Sequence, residues 1–163
     1  MTISKFGVEG DAHVTHVVMH PDTYTLSEIE LAGYTASDWV CTDGTLAGDE
    51  LTLEPGDDAV CTITNNDIPA TLTLVKTIIN DEGGQTTDPD AFALTIAGDP
   101  AASGAAISVP ANTALAINET ILAGYEFESI AGPGCPAALG GTITLNPGDD
   151  VTCTITNLSL IHI

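Results

Sequence analysis

An all-β fold in tandem copies is the architecture this sequence predicts, and three observations carry it. Short apolar runs are punctuated by Gly, Pro, Asn and Asp, aromatics are few, and no long helical period appears. The segment Thr71 to Ile78 alternates strictly, placing Leu72, Leu74, Lys76 and Ile78 on one face of a strand. Finally, the chain repeats itself. Its 163 residues would suit two small domains or one larger one, and the repeat decides for two.

Two blocks define the repeat. Tyr24 to Tyr34 matches Leu115 to Tyr125 without a gap, sharing Glu28/Glu119 and Leu31-Ala32-Gly33-Tyr34/Leu122-Ala123-Gly124-Tyr125. Pro55-Gly56-Asp57-Asp58 and Cys61-Thr62-Ile63-Thr64-Asn65 then recur as Pro147-Gly148-Asp149-Asp150 and Cys153-Thr154-Ile155-Thr156-Asn157. These blocks place a shortened first copy at residues 1–66, a linker at 67–70 and a complete second copy at 71–157. The linker is short and contains Pro69, so limited swing is expected. In the first copy Thr2-Ile3-Ser4-Lys5 lies on Thr73-Leu74-Val75-Lys76, but Phe6 follows at once, whereas the second copy runs through Thr77 to Ala91 before Phe92. That copy also carries a polar loop at Asn80 to Asp90 and an Ala/Gly/Ser loop near Asp99 to Gly104. Residues 158–163 match neither copy and read as a non-native tail, similar to the translation of a sequencing-library adapter; His162 within it is assigned no role.

Strand counting brings three polar groups together. The closing strand turns Val151, Cys153, Ile155 and Asn157 to one face, and a middle strand does the same with Leu115, Ile117, Glu119 and Ile121. Lys76, Glu119 and Asn157 are therefore expected to share one apolar interior. Lys5 and Lys76 are the only basic side chains against 23 acidic ones, and each lies on the opening strand of its copy.

The formal net charge of -21 repels phosphate backbones and anionic membranes, which disfavours nucleic-acid binding. No run is long enough to span a bilayer. Four cysteines, one pair per copy, favour an oxidising compartment and hence export to the cell surface or beyond. With no basic and apolar leader at the N-terminus, an exported chain of this sequence is expected to be a fragment. His13 and His16 are three apart, which on a strand puts them on opposite faces; with His20 they are expected as exposed strand or turn residues rather than metal ligands. Asp57-Asp58, Asp149-Asp150 and the loop acids Asp81, Glu82, Asp88 and Asp90 offer carboxylates to calcium, but without EF-hand spacing they read better as solvated turns. Asn118-Glu119-Thr120 is a glycosylation sequon by letter, its asparagine facing outward. No cofactor is expected.

The motif order, an opening Thr73-Leu74-Val75-Lys76 strand, the Tyr24 to Glu28 block followed by Ala32-Gly33-Tyr34, and the closing Cys-Thr-Ile-Thr-Asn strand, resembles the prealbumin-like, CnaB-type domains of bacterial surface proteins and SpaA-type pilins. The likeness covers nearly all of residues 70–157 and most of 12–66. It implies small Greek-key β-sandwiches, many of which close an intramolecular isopeptide bond between a lysine on the first strand and an asparagine on the last, assisted by an acid. By motif those roles fall on Lys76, Asn157 and Glu119, and in the first copy on Lys5, Asn65 and Glu28. The cysteines are an addition to that pattern. Cys41 follows Trp39 on one strand face, and the simplest connectivity joins Cys41 to Cys61 and Cys135 to Cys153. Free buried thiols and a zinc site are the alternatives, the latter without any Cys-x-x-Cys spacing.

An amine attacks an amide only when neutral, and burial lowers a lysine pKa by up to about 3–5 units. Burial raises a carboxylic acid for the same reason, so Glu119 is expected to stay protonated, donate to the Asn157 carbonyl and shuttle protons as ammonia leaves. The alternative is a buried Lys–Glu ion pair with Asn157 as its unreacted partner. Such a reaction runs once, so no enzyme with turnover is expected, and a hydrolase built on Glu28 or Glu119 lacks a partner carboxylate or triad. The implied function is a stalk or spacer of an exported, adhesin-like or pilin-like surface protein. Its partners would be neighbouring modules of the same polypeptide and, through other domains, host or matrix ligands. A module that itself binds a host, matrix or carbohydrate ligand, with or without calcium, is the alternative; sparse aromatics favour the spacer.

Overall fold

The computed structural model describes residues 18–160. The chain divides into two compact units, Met1–Ile68 and Pro69–Ile163. Strands carry almost all of the regular structure, the exception being a 3-10 turn at Pro89–Phe92. Among the described residues no helix is long and apolar enough to cross a membrane.

In the second unit the alternation becomes two facing sheets. Its strands are β8 (Ala70–Ile79), β9 (Thr95–Ile96), β10 (Asp99–Pro100), β11 (Ala106–Val109), β12 (Ala114–Asn118), β13 (Tyr125–Ala131), β14 (Thr142–Thr144) and β15 (Asp150–Ser159), numbered after seven in the first unit. One sheet runs β11-β8-β15-β13 and the other β10-β9-β12-β14. Leu72, Leu74, Cys153 and Ile155 from the first pack with Ile96, Leu115, Ile117 and Ile143 from the second, and Phe92 joins this core with no exposed surface. The result is a β-sandwich, polar outside and apolar within because side chains alternate along each strand.

The first strand of this unit lies beside the last. β8 and β15 pair in parallel from Thr71↔Asp150 to Ile79↔Leu158, with Lys76 opposite Ile155 and Asn157 opposite Ile78. Parallel neighbours need a crossover, and here everything between the two strands forms it. Lys76 and Asn157 thus point into one interior, two positions out of register.

The first unit contains β1 (Asp22–Thr25), β2 (Tyr34–Ala36), β3 (Val40–Cys41), β4 (Thr45–Ala47), β5 (Glu50–Leu53), β6 (Cys61–Thr62) and β7 (Asn65–Asp67). They pair as a β1-β5-β4 sheet and as the ribbons β2-β7 and β3-β6. Among its described residues Leu26 and Leu51 are the buried apolar side chains.

Four expectations change. The expected linker at 67–70 starts too early, because Asp67 is the end of β7, opposite Tyr34, and the Ile68 N–H donates to the Gly33 carbonyl at 2.7 Å. The expected tail from 158 also starts too early. Leu158 and Ser159 belong to β15, Ser159 stands opposite Tyr125, and the Leu160 N–H donates to the Gly124 carbonyl at 2.8 Å. Leu158 to Leu160 therefore hold the place in their unit that Asn66 to Ile68 hold in theirs, a match of backbone pairing that side-chain identity does not reveal. Third, Ile121 does not join Glu119 inside, because β12 ends at Asn118 and the next turn leaves Ile121 48% exposed. The Asp99–Gly104 loop is also shorter than expected: Asp99 and Pro100 pair with Ile96 and Thr95 around a turn at Ala97-Gly98.

Candidate functional site

Lys76 stands near the C-terminal end of β8, on the same face as Leu72 and Leu74, and keeps 7% of its surface exposed. Glu119 follows Leu115 and Ile117 at the end of β12, and Asn157 follows Cys153 and Ile155 along β15 with no exposed surface. The alternation that buries each leucine or isoleucine carries Lys76 and Asn157 into the core from β8 and β15, and Glu119 from the residue that follows β12. They meet there. Lys76 Nζ donates to Glu119 Oε2 at 2.6 Å and to Asn157 Oδ1 at 2.5 Å.

Both carboxyl and carboxamide are only half satisfied. Glu119 Oε1 and Asn157 Nδ2 are buried without a hydrogen-bond partner among the described residues. Leaving such an atom unpaired inside a protein costs about 1–3 kcal/mol, so a change that removes one of them is favoured. Burial pushes the Lys76 amine below its ordinary pKa, against the opposing hydrogen bond and charge of Glu119. The cluster therefore holds an amine biased toward its neutral, nucleophilic form, an acid in contact with it, and an amide whose nitrogen is held by none of the described residues.

Surrounding groups fasten this cluster. The Lys76 backbone N–H donates to Ser103 Oγ at 2.9 Å, and the Ser103 N–H donates to Asp90 Oδ1 at 2.8 Å. The Glu119 N–H donates to Asn118 Oδ1 at 3.0 Å, and the Thr120 N–H donates to the Phe92 carbonyl at 2.7 Å. The Phe92 ring lies with its centroid 4.3 Å from Lys76 Nζ. Phe92, Ser103 and Asp90 do not emerge from strand counting. The one available signal is Asp88-Pro89, an N-cap residue followed by proline at the first helical position, which marks the start of the 3-10 turn.

In the first unit, Asn65 Nδ2 donates to Glu28 Oε2 at 3.0 Å in a half-buried setting. Lys5 lies outside the described residues, as do His13, His16 and His162. His20 is exposed, and its carbonyl accepts from the Tyr24 hydroxyl at 2.6 Å.

The cysteines are joined Cys41–Cys61 and Cys135–Cys153. Cys41 and Cys61 sit directly opposite each other on β3 and β6. Cys135 reaches β15 from the loop after β13, where Gly132 comes so close that a Cβ would meet the Thr152 carbonyl oxygen at 2.3 Å. With φ at +144° as well, that position suits glycine alone. The acidic turns use their first aspartate internally: Asp57 Oδ2 accepts from the Glu54 N–H and Asp149 Oδ2 from the Asn146 N–H. Among the described residues no three acidic, histidine or cysteine side chains converge as a metal site.

A family model described as a prealbumin-like fold domain, of the SpaA type, matches residues 2–63 and again residues 67–155. No curated protein and no solved structure matches the chain. Two matched segments cover nearly its whole length, and the second coincides with the sandwich described above. The chain belongs to the family of SpaA-type prealbumin-like fold domains.

Proposed function

We propose that the second unit closes an intramolecular isopeptide bond between Lys76 Nζ and Asn157 Cγ, and that the chain is a structural stalk or spacer segment of a secreted or surface-attached protein. The observation that carries this reading is the sealed contact of amine, acid and amide, with the Asn157 amide nitrogen left unpaired.

The chemistry balances within three side chains. Glu119 takes a proton from the Lys76 ammonium across their 2.6 Å contact, leaving a neutral amine. The amine lone pair attacks Asn157 Cγ, and a tetrahedral centre forms. Glu119 passes its proton to Nδ2, the Cγ–Nδ2 bond breaks, and ammonia leaves as the second Nζ proton passes to the carboxylate, which ends protonated. Nδ2, the unpaired donor, departs. Preorganisation of the partners replaces a bimolecular encounter, an advantage worth roughly 7–11 kcal/mol in favourable intramolecular cases.

Topology supports the mechanical role. A pull on the chain enters β8 at Ala70 and leaves β15 at Ser159, and because the two strands are parallel these ends lie at opposite extremes of the pair. Load is then shared by the whole ladder in shear. A Lys76–Asn157 bond would shunt it from one strand to the other and shield the intervening crossover. The Cys41–Cys61 and Cys135–Cys153 bonds fit exposure to an oxidising exterior.

Reducing, denaturing electrophoresis tests the bond. A closed ring is more compact than a linear chain, so the wild type should run ahead of Lys76→Ala and Asn157→Ala, which should run together. Equal mobility of all three contradicts the proposal.

A further inference from the structure

Phe92 touches both sides of the proposed reaction, and this inference rests on that reading. Its ring faces Lys76 Nζ with the centroid 4.3 Å away, while its own carbonyl accepts the N–H of Thr120, the residue after Glu119, at 2.7 Å. The Tyr125 ring meets it edge to face, with centroids 5.4 Å apart and planes at 83°, so the ring cannot swing aside without moving a second aromatic. The 3-10 turn that delivers Phe92 is fixed as well. Asp88 caps it, and its Asp90 carboxylate holds Ser103, whose hydroxyl accepts the Lys76 backbone N–H.

From this geometry we propose that Phe92 is a positioning residue for bond formation, its π face orienting the Lys76 amine and its backbone holding Glu119 against it. The face of an aromatic ring is electron-rich. It attracts the ammonium before proton transfer, and afterwards it attracts the remaining N–H bonds and repels the lone pair. The lone pair is thereby turned from the ring toward the interior, where the Asn157 carboxamide lies. Sequence position agrees with a dedicated device: the stretch Thr77 to Ala91, which places Phe92 over the cluster, has no counterpart after Lys5.

Among the described groups on the elements packed around Nζ, Glu119 is the titratable one that faces it. Asp90 is turned to Ser103 at the surface, and the Tyr125 hydroxyl donates to Asn80 Oδ1 at 2.8 Å. A ring that favours the ammonium raises the pH at which closure reaches half its maximal rate. Weakening the ring must lower that midpoint.

The test uses the full chain, recovered unfolded and unreacted, then refolded over a pH series while intact mass follows ammonia loss. Phe92 is replaced site-specifically by mono-, di- and trifluorophenylalanine, which drain the ring face while keeping its shape. The expected result is a stepwise fall of the midpoint, totalling about one pH unit. Phe92→Leu should lower the midpoint and also slow the maximal rate about tenfold through lost orientation, and Phe92→Tyr should keep the wild-type profile. A midpoint and maximal rate unchanged across the fluorinated series overturn the role of Phe92 while leaving the bond itself standing. Absence of ammonia loss from the wild-type chain overturns the bond, and this inference with it.

Discussion

The two units bring an acid and a carboxamide together in the same order along the chain but in different surroundings. Glu28 and Asn65 meet at 3.0 Å in a half-buried site, beneath which the described core offers Leu26 and Leu51. Glu119 and Asn157 sit at 9% and 0% exposure, under a ring and among leucines and isoleucines from both sheets. Contact alone makes an ordinary hydrogen bond. What separates the second site, among the described residues, is exclusion of water, which leaves polar atoms unpaired and lowers the lysine pKa.

The largest effect should appear under force. Lys76 and Asn157 are 81 residues apart, and the disulfide withholds the 18-residue separation of Cys135 and Cys153. Pulling on wild-type chains should therefore release none of the crossover. In Lys76→Ala it should release about 63 residues, roughly 200 Å of chain at about 3.3–3.6 Å each. Full release from wild type would contradict the proposed Lys76–Asn157 bond.

A smaller effect, in stability, is expected of Glu119→Gln, which removes the proposed proton carrier. The chain should keep its ammonia, and denaturant unfolding of the second unit should lose at least about 4–5 kcal/mol, the loop-entropy value for a ring of this size. That variant also exposes a pH dependence. Its Lys76 remains a titrating amine whose folded-state pKa is lowered by burial, so below 10.5 the unfolded chain binds more protons and stability rises with pH, by at most about 1.4 kcal/mol per unit. The closed wild-type amide carries no such proton and should show no such slope. Equal slopes would place a free amine in both.

Glu28→Gln should give the smallest change. Its hydrogen bond to Asn65 is half-exposed and competes with water, so a loss of about 1 kcal/mol or less is expected from calorimetry of the first unit. A loss as large as that of Glu119→Gln would mean that the two sites are equivalent after all.

How far the sequence foretold this follows from which physics each feature depends on. Alternation is local, so Lys76, Glu119 and Asn157 could be assigned to core faces from their own strands. Strand ends are less legible: Ile121 continues the written pattern of Glu119 and yet is exposed, because β12 stops at Asn118. Leu158 to Leu160 and Asn66 to Ile68 share a pairing but almost no chemistry, so a search for like letters passes over them. Phe92 was hidden for another reason. Its place over Lys76 depends on a long crossover and on Tyr125 behind it, neither of which leaves a periodic trace.

Intact mass of the reduced wild-type protein tests the central claim most directly. The account predicts a chain lighter than its sequence by at least one ammonia, with digestion yielding a branched peptide that joins Lys76 to Asn157. A mass equal to that of the sequence would leave the cluster as a buried ion pair beside an intact amide, and would contradict the account.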